Sequence, residues 1–366
     1  MREARTLNIE RPCMKILVHS RFHPNIGGIE TVASLLAHEW CRMGETVTVV
    51  SDVRCMTGQR QKFPFPVYYR PGLLQWLRLI RGTDVLVHMN LSLKALWPAL
   101  IVRRPLVAVN HAYYYSDRSG YRDWRERLKL RSMTLATNIA VSQAVAQRLP
   151  EPCVVIPNPV DVSLFQAHDA APRNKELVFL GRLVSDKGCD LLIQALGQLA
   201  EHGLRPSLTV IGNGPERYPC EQLARRLNLQ EQVVFTGAPP SDQVAQLLRQ
   251  HHIMIVPSIW EESFGVVALE GLASGCVVLG SDGGGLAEAI GPCGMTFRRG
   301  DAADLTSKLA HLLRHPEEWE RYRAGAQTHL ELHQPSWVAT RYLEVFELSL
   351  RKVPVVDGSI ALSEEH

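Results

Sequence analysis

From Lys15 onward, the chain alternates short unbroken apolar runs with longer stretches in which apolar residues return every three or four positions. The runs predict buried strands and the stretches predict amphipathic helices. Strands are expected at 15–20, 47–51, 85–88, 106–110, 139–141 and 154–156. Between the first two, Val32, Leu35, Leu36, Trp40 and Met43 mark one helix face. The polar, aperiodic stretch 166–175 (QAHDAAPRNK), with Pro172 inside it, breaks the rhythm. Alternation then resumes, with strands expected at 177–180, 208–211, 233–235, 253–256 and 277–279. Residues 337–350 are again amphipathic and are expected to pack back on the first half.

Strands alternating with helices imply parallel sheets joined by helical crossovers. The expected organisation is a flexible tail 1–13, a first domain 14–166 and a linker 167–175. A second domain 176–335, a helix 336–352 crossing back to the first domain and a tail 353–366 follow. The fold class is α/β: two doubly wound, Rossmann-like domains facing a central cleft. Ligands of such sheets bind outside the carboxyl ends of the strands, so both domains should point their loops into that cleft.

Of the 366 residues, 46% are hydrophobic and 21% charged, which excludes a disordered or fibrous chain. No apolar run approaches the roughly 18 residues of a membrane span, and the first residues lack the apolar segment of a secretory signal. The eight cysteines lie singly, with no C-x-x-C pair and no histidine spacing suited to zinc. A reducing cytoplasm is the expected location. Charge is uneven: residues 1–165 hold 22 Lys+Arg against 12 Asp+Glu, and residues 166–366 hold 18 against 25. The basic half should meet something anionic.

Several strand-to-helix junctions carry candidate chemistry. Gly27 and Gly28 stand where backbone N–H groups and a helix start could receive an anion, although paired glycines also make a plain tight turn. After the 177–180 strand, Gly181 and Arg182 are followed by Lys187 and Gly188. An arginine fork and a lysine point charge there could clamp a pyrophosphate, or could be two solvated cations. Gly212, in Gly212-Asn-Gly214-Pro, lies at a third junction without the G-x-G-x-x-G pattern, and a tight turn is again the alternative. In the segment 256–275, Glu262 precedes a helix start formed by Ser263, Phe264 and Gly265. Glu270 lies about two turns down that helix among Val266, Val267, Leu269 and Leu272. A carboxylate in such an apolar setting needs a partner, and ribose hydroxyls are one kind it could take.

Together these segments resemble the family 4 retaining glycosyltransferases of the GT-B fold. The resemblance is carried by Gly27-Gly28, VSQAVAQRL (141–149), VIPNPVD (155–161), GRLVSDKG, VIGNGPE, PSIWEESFGVVALE and GGGLAEAI (283–290). It runs from Met14 to about Leu350, and the E-x7-E motif from Glu262 to Glu270 combined with GR-x4-KG is its most specific part. Pro159 and Val277 depart from the usual Gly and Pro as backbone changes. The resemblance implies that Arg182 and Lys187 neutralise a donor pyrophosphate and that Glu270 binds the nucleotide ribose. It implies that Glu262, with the Phe264–Gly265 backbone, holds donor-sugar hydroxyls, and that Gly28, Gly181 and Gly212 line the donor site. His111, after the 106–110 strand, would stand near the sugar.

It further implies transfer from a nucleoside-diphosphate sugar, UDP first and GDP-mannose next, with α configuration retained. No D-x-D motif occurs, and no metal or other cofactor is expected. The acceptor is expected on the first domain, where Tyr113, Tyr114, Tyr121 and Trp124 could stack on sugar rings. Residues 118–131 hold six basic and two acidic residues, a pattern that suits an anionic membrane surface or a phosphorylated acceptor, or an ordinary solvated helix. The partners expected are therefore the sugar nucleotide, a glycan or lipid-linked acceptor and the inner face of the cytoplasmic membrane. The corresponding role is cell-envelope polysaccharide, lipopolysaccharide or glycolipid synthesis. No nucleic-acid module is present. A sugar-nucleotide epimerase or a non-catalytic sugar-nucleotide binder of the same fold are the alternatives.

Overall fold

The computed structural model describes residues 12–22, 27–54, 62–114, 124–166 and 173–352. Most of the expected tail 1–13, residues 167–172 of the expected linker, and the tail 353–366 lie outside them. The first sheet contains β1 (Lys15–Ser20), β2 (Thr46–Ser51), β3 (Val67–Tyr69), β4 (Val85–Met89), β5 (Leu106–Asn110), β6 (Thr137–Ala140) and β7 (Cys153–Val155). Its order is β3-β2-β1-β4-β5-β6-β7, and every pair is parallel. The second holds β8 (Lys175–Leu180), β9 (Leu208–Ile211), β10 (Val233–Gly237), β11 (His251–Val256), β12 (Val277–Ser281) and β13 (Gly294–Phe297), in the order β10-β9-β8-β11-β12-β13. In both sheets the order reverses beside the first strand, which opens a crevice at the carboxyl edge.

Two strands escape the periodicity. β3 is a three-residue edge strand whose side chains are all half-buried, and β13 opens on a glycine with three half-buried positions, so neither shows an apolar run. β8 begins at Lys175, inside the stretch expected to be linker.

Each face of the first sheet carries helices. On one, the helices Gly28–Arg42 and Pro335–Lys352 pack together. Trp40, fully buried, packs at a tilt against Tyr342 and Phe346, with ring centroids at 5.9 and 5.4 Å, and donates from Nε1 to the Ala339 carbonyl at 3.2 Å. The last helix therefore returns to the first domain, and Ser349 Oγ lies 2.8 Å from Thr137 Oγ1 on β6. Emptying the Trp40 site would cost about 3–5 kcal/mol, the usual penalty for an aromatic-sized cavity. The opposite face is covered by the helices Leu73–Arg81, Leu93–Val102 and Trp124–Met133. The apolar cluster under Trp40 continues through Val178, Met254, Leu269 and Val278 of the second domain, so one core links both sheets. Among the described residues no helix is long and apolar enough to cross a membrane.

Candidate active site

A cavity of about 520 Å³ opens between the two carboxyl edges. Gly28 and His111 line it from the first domain. Gly181, Arg182, Lys187, Gly212, Glu262, Phe264, Gly265 and Glu270 line it from the second. Both domains thus contribute to one cleft.

The cationic wall is set by backbone close approach. After β8 the chain turns through Gly181 and Arg182 into a short 3-10 turn, Ser185–Lys187, which ends at Gly188 in the left-handed region (φ 65°). A Cβ at Gly188 would overlap the Pro257 carbonyl oxygen, so only glycine lets this turn settle on the loop after β11. The Ile259 N–H then donates to the Asp186 carbonyl at 2.9 Å. The contact brings Lys187 Nζ to 2.5 Å from Glu262 Oε1. Arg182 is exposed on the same wall, and its guanidinium has no hydrogen-bond or ion-pair partner among the described residues. Gly212 acts differently. Its N–H is already donated to the Gly237 carbonyl at 2.7 Å, and a Cβ there would overlap the Gly181 carbonyl oxygen. Close packing behind the Arg182 turn is therefore its role, and its amide is not free for a ligand.

The carboxylates come from the loop after β11. Ser258 Oγ donates to Glu262 Oε1 at 2.5 Å, so lysine and serine converge on one oxygen. The helix Val266–Ala273 starts behind Gly265 (φ 99°) with no side-chain cap, leaving its first N–H groups directed to the cleft end. Phe264 is buried against His333 at 5.6 Å, so the Phe264 backbone is the part that can face a ligand. Glu270 stands on the cleft side of this helix with no hydrogen-bond or ion-pair partner among the described residues. Burial pushes its carboxyl up to about 7.

From the first domain, the helix Gly28–Arg42 points its start at the cavity, and a Cβ on Gly28 would meet only open space. The neighbourhood of Gly28 is thus open to a ligand rather than closed by packing. His111 follows β5, its backbone N–H held by Asn90 Oδ1 at 2.8 Å. Burial pulls its imidazole down to about 4, so the ring is neutral at physiological pH.

Three acceptor-side expectations change. Tyr114 is buried in the core under the three-helix layer, with its hydroxyl donating to Asn110 Oδ1 at 2.8 Å, because its position after β5 points it behind the sheet. Tyr113 is engaged in an interdomain contact: its hydroxyl donates to the Glu262 carbonyl at 3.2 Å and the Arg148 guanidinium covers its ring at 4.4 Å. Trp124 is exposed on the outside of its helix and does not line the cavity. Tyr121 lies outside the described residues.

Contacts that sequence reasoning missed tie the domains together at this same loop. Arg148 Nη1 pairs with Glu261 Oε2 at 2.7 Å, and Arg299 reaches the other Glu261 oxygen at 3.2 Å. Burial opposes ionisation of Glu261, but the two guanidiniums hold its carboxyl below the usual range. Ser142 Oγ donates to the Ser263 carbonyl at 2.7 Å, and Glu288 accepts from the N–H groups of Gln143 and Ala144 at 2.9 and 3.2 Å. Arg148 and Ser142 fall inside the VSQAVAQRL segment, but nothing local marks partners more than a hundred residues away.

Comparison with known proteins gives this arrangement its family. Residues 26–164 match the model "Glycosyltransferase Family 4" and residues 163–329 match "Glycosyl transferases group 1". The MMP alpha-(1->4)-mannosyltransferase of Mycolicibacterium hassiacum is 28% identical over 340 residues, 85% of this chain and 82% of that one. The phosphatidyl-myo-inositol mannosyltransferase of Mycobacterium leprae is 29% identical over 286 residues, 74% and 75% of the two chains. The structure of Anabaena Alr3699/HepE with UDP-glucose superimposes with a TM-score of 0.75 at 20% identity, covering 92% of this chain and 100% of that one. The chain belongs to the family 4, group 1 glycosyltransferases and has their GT-B fold.

Proposed function

We propose that this glycosyltransferase moves a hexosyl unit from a nucleoside-diphosphate sugar to a lipid-linked or glycan acceptor, keeping the donor's α configuration. The observation that carries the reading is the grouping of Arg182, Lys187, Glu262 and Glu270 on one wall of a cleft, with His111 and Gly28 opposite. Arg182 and Lys187 would bracket the diphosphate and stabilise the charge that grows on it as the anomeric bond breaks. Glu270 would accept from the ribose hydroxyls, and Glu262 with the Gly265 helix start would orient the sugar. In the transfer, the anomeric carbon–oxygen bond to the diphosphate breaks and a bond to the acceptor oxygen forms on the same face. The acceptor's hydroxyl proton passes to the departing diphosphate, so no side chain need serve as base.

With two cations already on the leaving-group side, transfer is expected to need no metal. UDP is the favoured base, supported by the UDP-glucose bound in HepE, whose fold this chain shares; GDP-mannose follows, supported by the two mannosyltransferase relatives. A lipid-linked acceptor in envelope glycan or glycolipid synthesis is supported by the basic first domain and by the phosphatidyl-myo-inositol named for the Mycobacterium leprae relative. The working location on this reading is the inner face of the cytoplasmic membrane, as a peripheral protein. The test is a thermal-shift screen against UDP, GDP, ADP and their sugar conjugates with EDTA present. A nucleotide at about 100 times its Kd adds roughly 2.7 kcal/mol of stability. A response to one base family supports the reading, and silence toward all of them refutes it.

A further inference from the structure

We propose that the outer side of the helix layer on the first sheet is a docking face for an anionic lipid bilayer. The layer consists of the helices Leu73–Arg81, Leu93–Val102 and Trp124–Met133, whose inner sides share one core through Trp76, Ile80, Leu96 and Met133. Its outer side is unusually apolar. Of the 15 large hydrophobic residues exposed among the described residues, eight lie between positions 73 and 135. Leu74 is 75% exposed on the first helix, Trp97 and Ile101 are 47% and 60% exposed on the second, and Trp124 and Leu128 stand out from the third. Isolated exposed apolar residues are ordinary, but a concentration on one layer marks an interaction surface.

Charge selects the occupant. The described residues from 73 to 135 carry nine Lys+Arg and two Asp+Glu, and one of those acids, Asp84, is spent on the Lys15 N–H at 2.7 Å. Apolar side chains among cations suit acyl boundary and anionic headgroups together. Two copies of the same cationic face would repel each other, and a nucleic acid would leave the leucines and tryptophans exposed. The layer also has a fitting position. Each helix follows a strand of the first sheet, so Leu73, Leu93 and Trp124 begin at the carboxyl edge where the cleft opens. Docking there would set the acceptor side of the cleft at the membrane surface. The face itself is independent of the donor chemistry; its use in catalysis rests on the lipid-linked acceptor proposed above.

Full-length protein should be sedimented with phosphatidylcholine vesicles with and without phosphatidylglycerol, at low and high salt. The expected result is strong pelleting with the anionic vesicles, weak pelleting with the neutral ones, and weakening by salt. The variant Leu74→Ser/Trp97→Ser/Ile101→Ser should partition about tenfold less or weaker, with its melting temperature and its shift by UDP or GDP unchanged. Leu74→Ser alone, at the most exposed of these positions, should give a smaller loss in the same direction. Wild-type protein that stays in solution overturns the proposal, as does a triple variant that pellets like wild type. A dimer in vesicle-free light scattering that the triple variant loses also overturns it, assigning the face to a second copy. Pelleting that the variant loses, in a protein no nucleotide shifts, supports the face and removes the donor reading alone.

Discussion

Glu270→Gln should make the unliganded protein more stable while weakening its hold on a nucleotide. The wild-type carboxyl lies at the cleft wall without a partner, and burial raises it from 4.5 to about 7. At ~1.4 kcal/mol for each pH unit, that displacement amounts to about 3 kcal/mol at most, since the residue keeps an edge open to the cleft. The native state binds this proton more tightly than the unfolded chain. Its contribution therefore falls as pH rises from about 4.5 to about 7 and is level beyond. Glutamine has nearly the same shape and no charge, so it removes this dependence. Wild type and variant should melt together below pH 4.5 and separate above pH 7, the variant higher by several degrees at ~2–4 °C per kcal/mol. Nucleotide affinity should move the other way. Losing a charged acceptor for ribose hydroxyls costs about 1.5–3 kcal/mol, roughly tenfold to a hundredfold in Kd. Calorimetry near neutral pH should also show a proton released when wild type binds nucleotide and none when the variant does. Melting curves across this pH range and titrations with UDP or GDP supply both readings. A variant no more stable than wild type above pH 7 would refute the assignment of an unpaired, burial-shifted carboxyl.

Three further outcomes follow from the geometry. Lys187→Met should lower transfer by about two to three orders of magnitude, while a partly exposed ion pair such as Lys187–Glu262 contributes at most ~1 kcal/mol to the fold; turnover and melting temperature on one preparation check both. Arg148→Met removes the pairing with Glu261 and the cover over Tyr113 and should raise the donor KM more than it lowers kcat, with Arg148→Lys restoring part of the loss; steady-state kinetics with varied sugar nucleotide separates the two. Gly212→Ala forces a Cβ onto the Gly181 carbonyl in a region of positive φ and should destabilise the protein by ~3 kcal/mol or more, read by urea denaturation of the apo form.

The sheet strands were largely legible because parallel strands covered on both faces must be continuously apolar; β4 and β5, buried at every position, coincide with their runs almost residue for residue. β3 was not legible, since an edge strand of three half-buried residues has no run to show. In the site, residues within one short segment could be read from spacing: Arg182 with Lys187 across a turn, and Glu262 with Glu270 from a loop into the helix that follows it. What spacing cannot carry is the partner across the cleft. Tyr113 and Tyr114 are adjacent and chemically alike, yet one bonds to the Glu262 loop and the other is buried behind the sheet. Only the path of the chain after β5 separates them. Ser142, an ordinary helix cap by its position before the helix Gln143–Ala146, also donates to Ser263 in the other domain, a second role without local signature.

On the proposed function the loop 261–265 would serve the donor sugar as well as the domain contact it makes, which has an electrostatic consequence. In the empty cleft Lys187 is matched by Glu262, Arg182 is unmatched, and burial favours a neutral Glu270 up to about pH 7. Below about pH 7 the wall that would meet an incoming diphosphate is therefore net positive and carries no free carboxylate to repel it. Once the diphosphate engages the cations, ribose hydroxyls can supply the hydrogen bonds that Glu270 lacks, and ionisation becomes favourable where it was costly. Glu262 has a comparable choice. Ser258 shares its oxygen with Lys187, so the carboxylate retains a donor if the lysine turns toward phosphate. Meanwhile Tyr113, Ser142 and Arg148 hold the backbone and flanking side chain of this loop from the opposite domain. Opening the cleft would break those contacts together with the approach of His111 and Gly28. The same loop proposed to orient the donor would thereby require the domains to be closed, and a closed cleft would exclude the water that otherwise competes with the acceptor for the sugar.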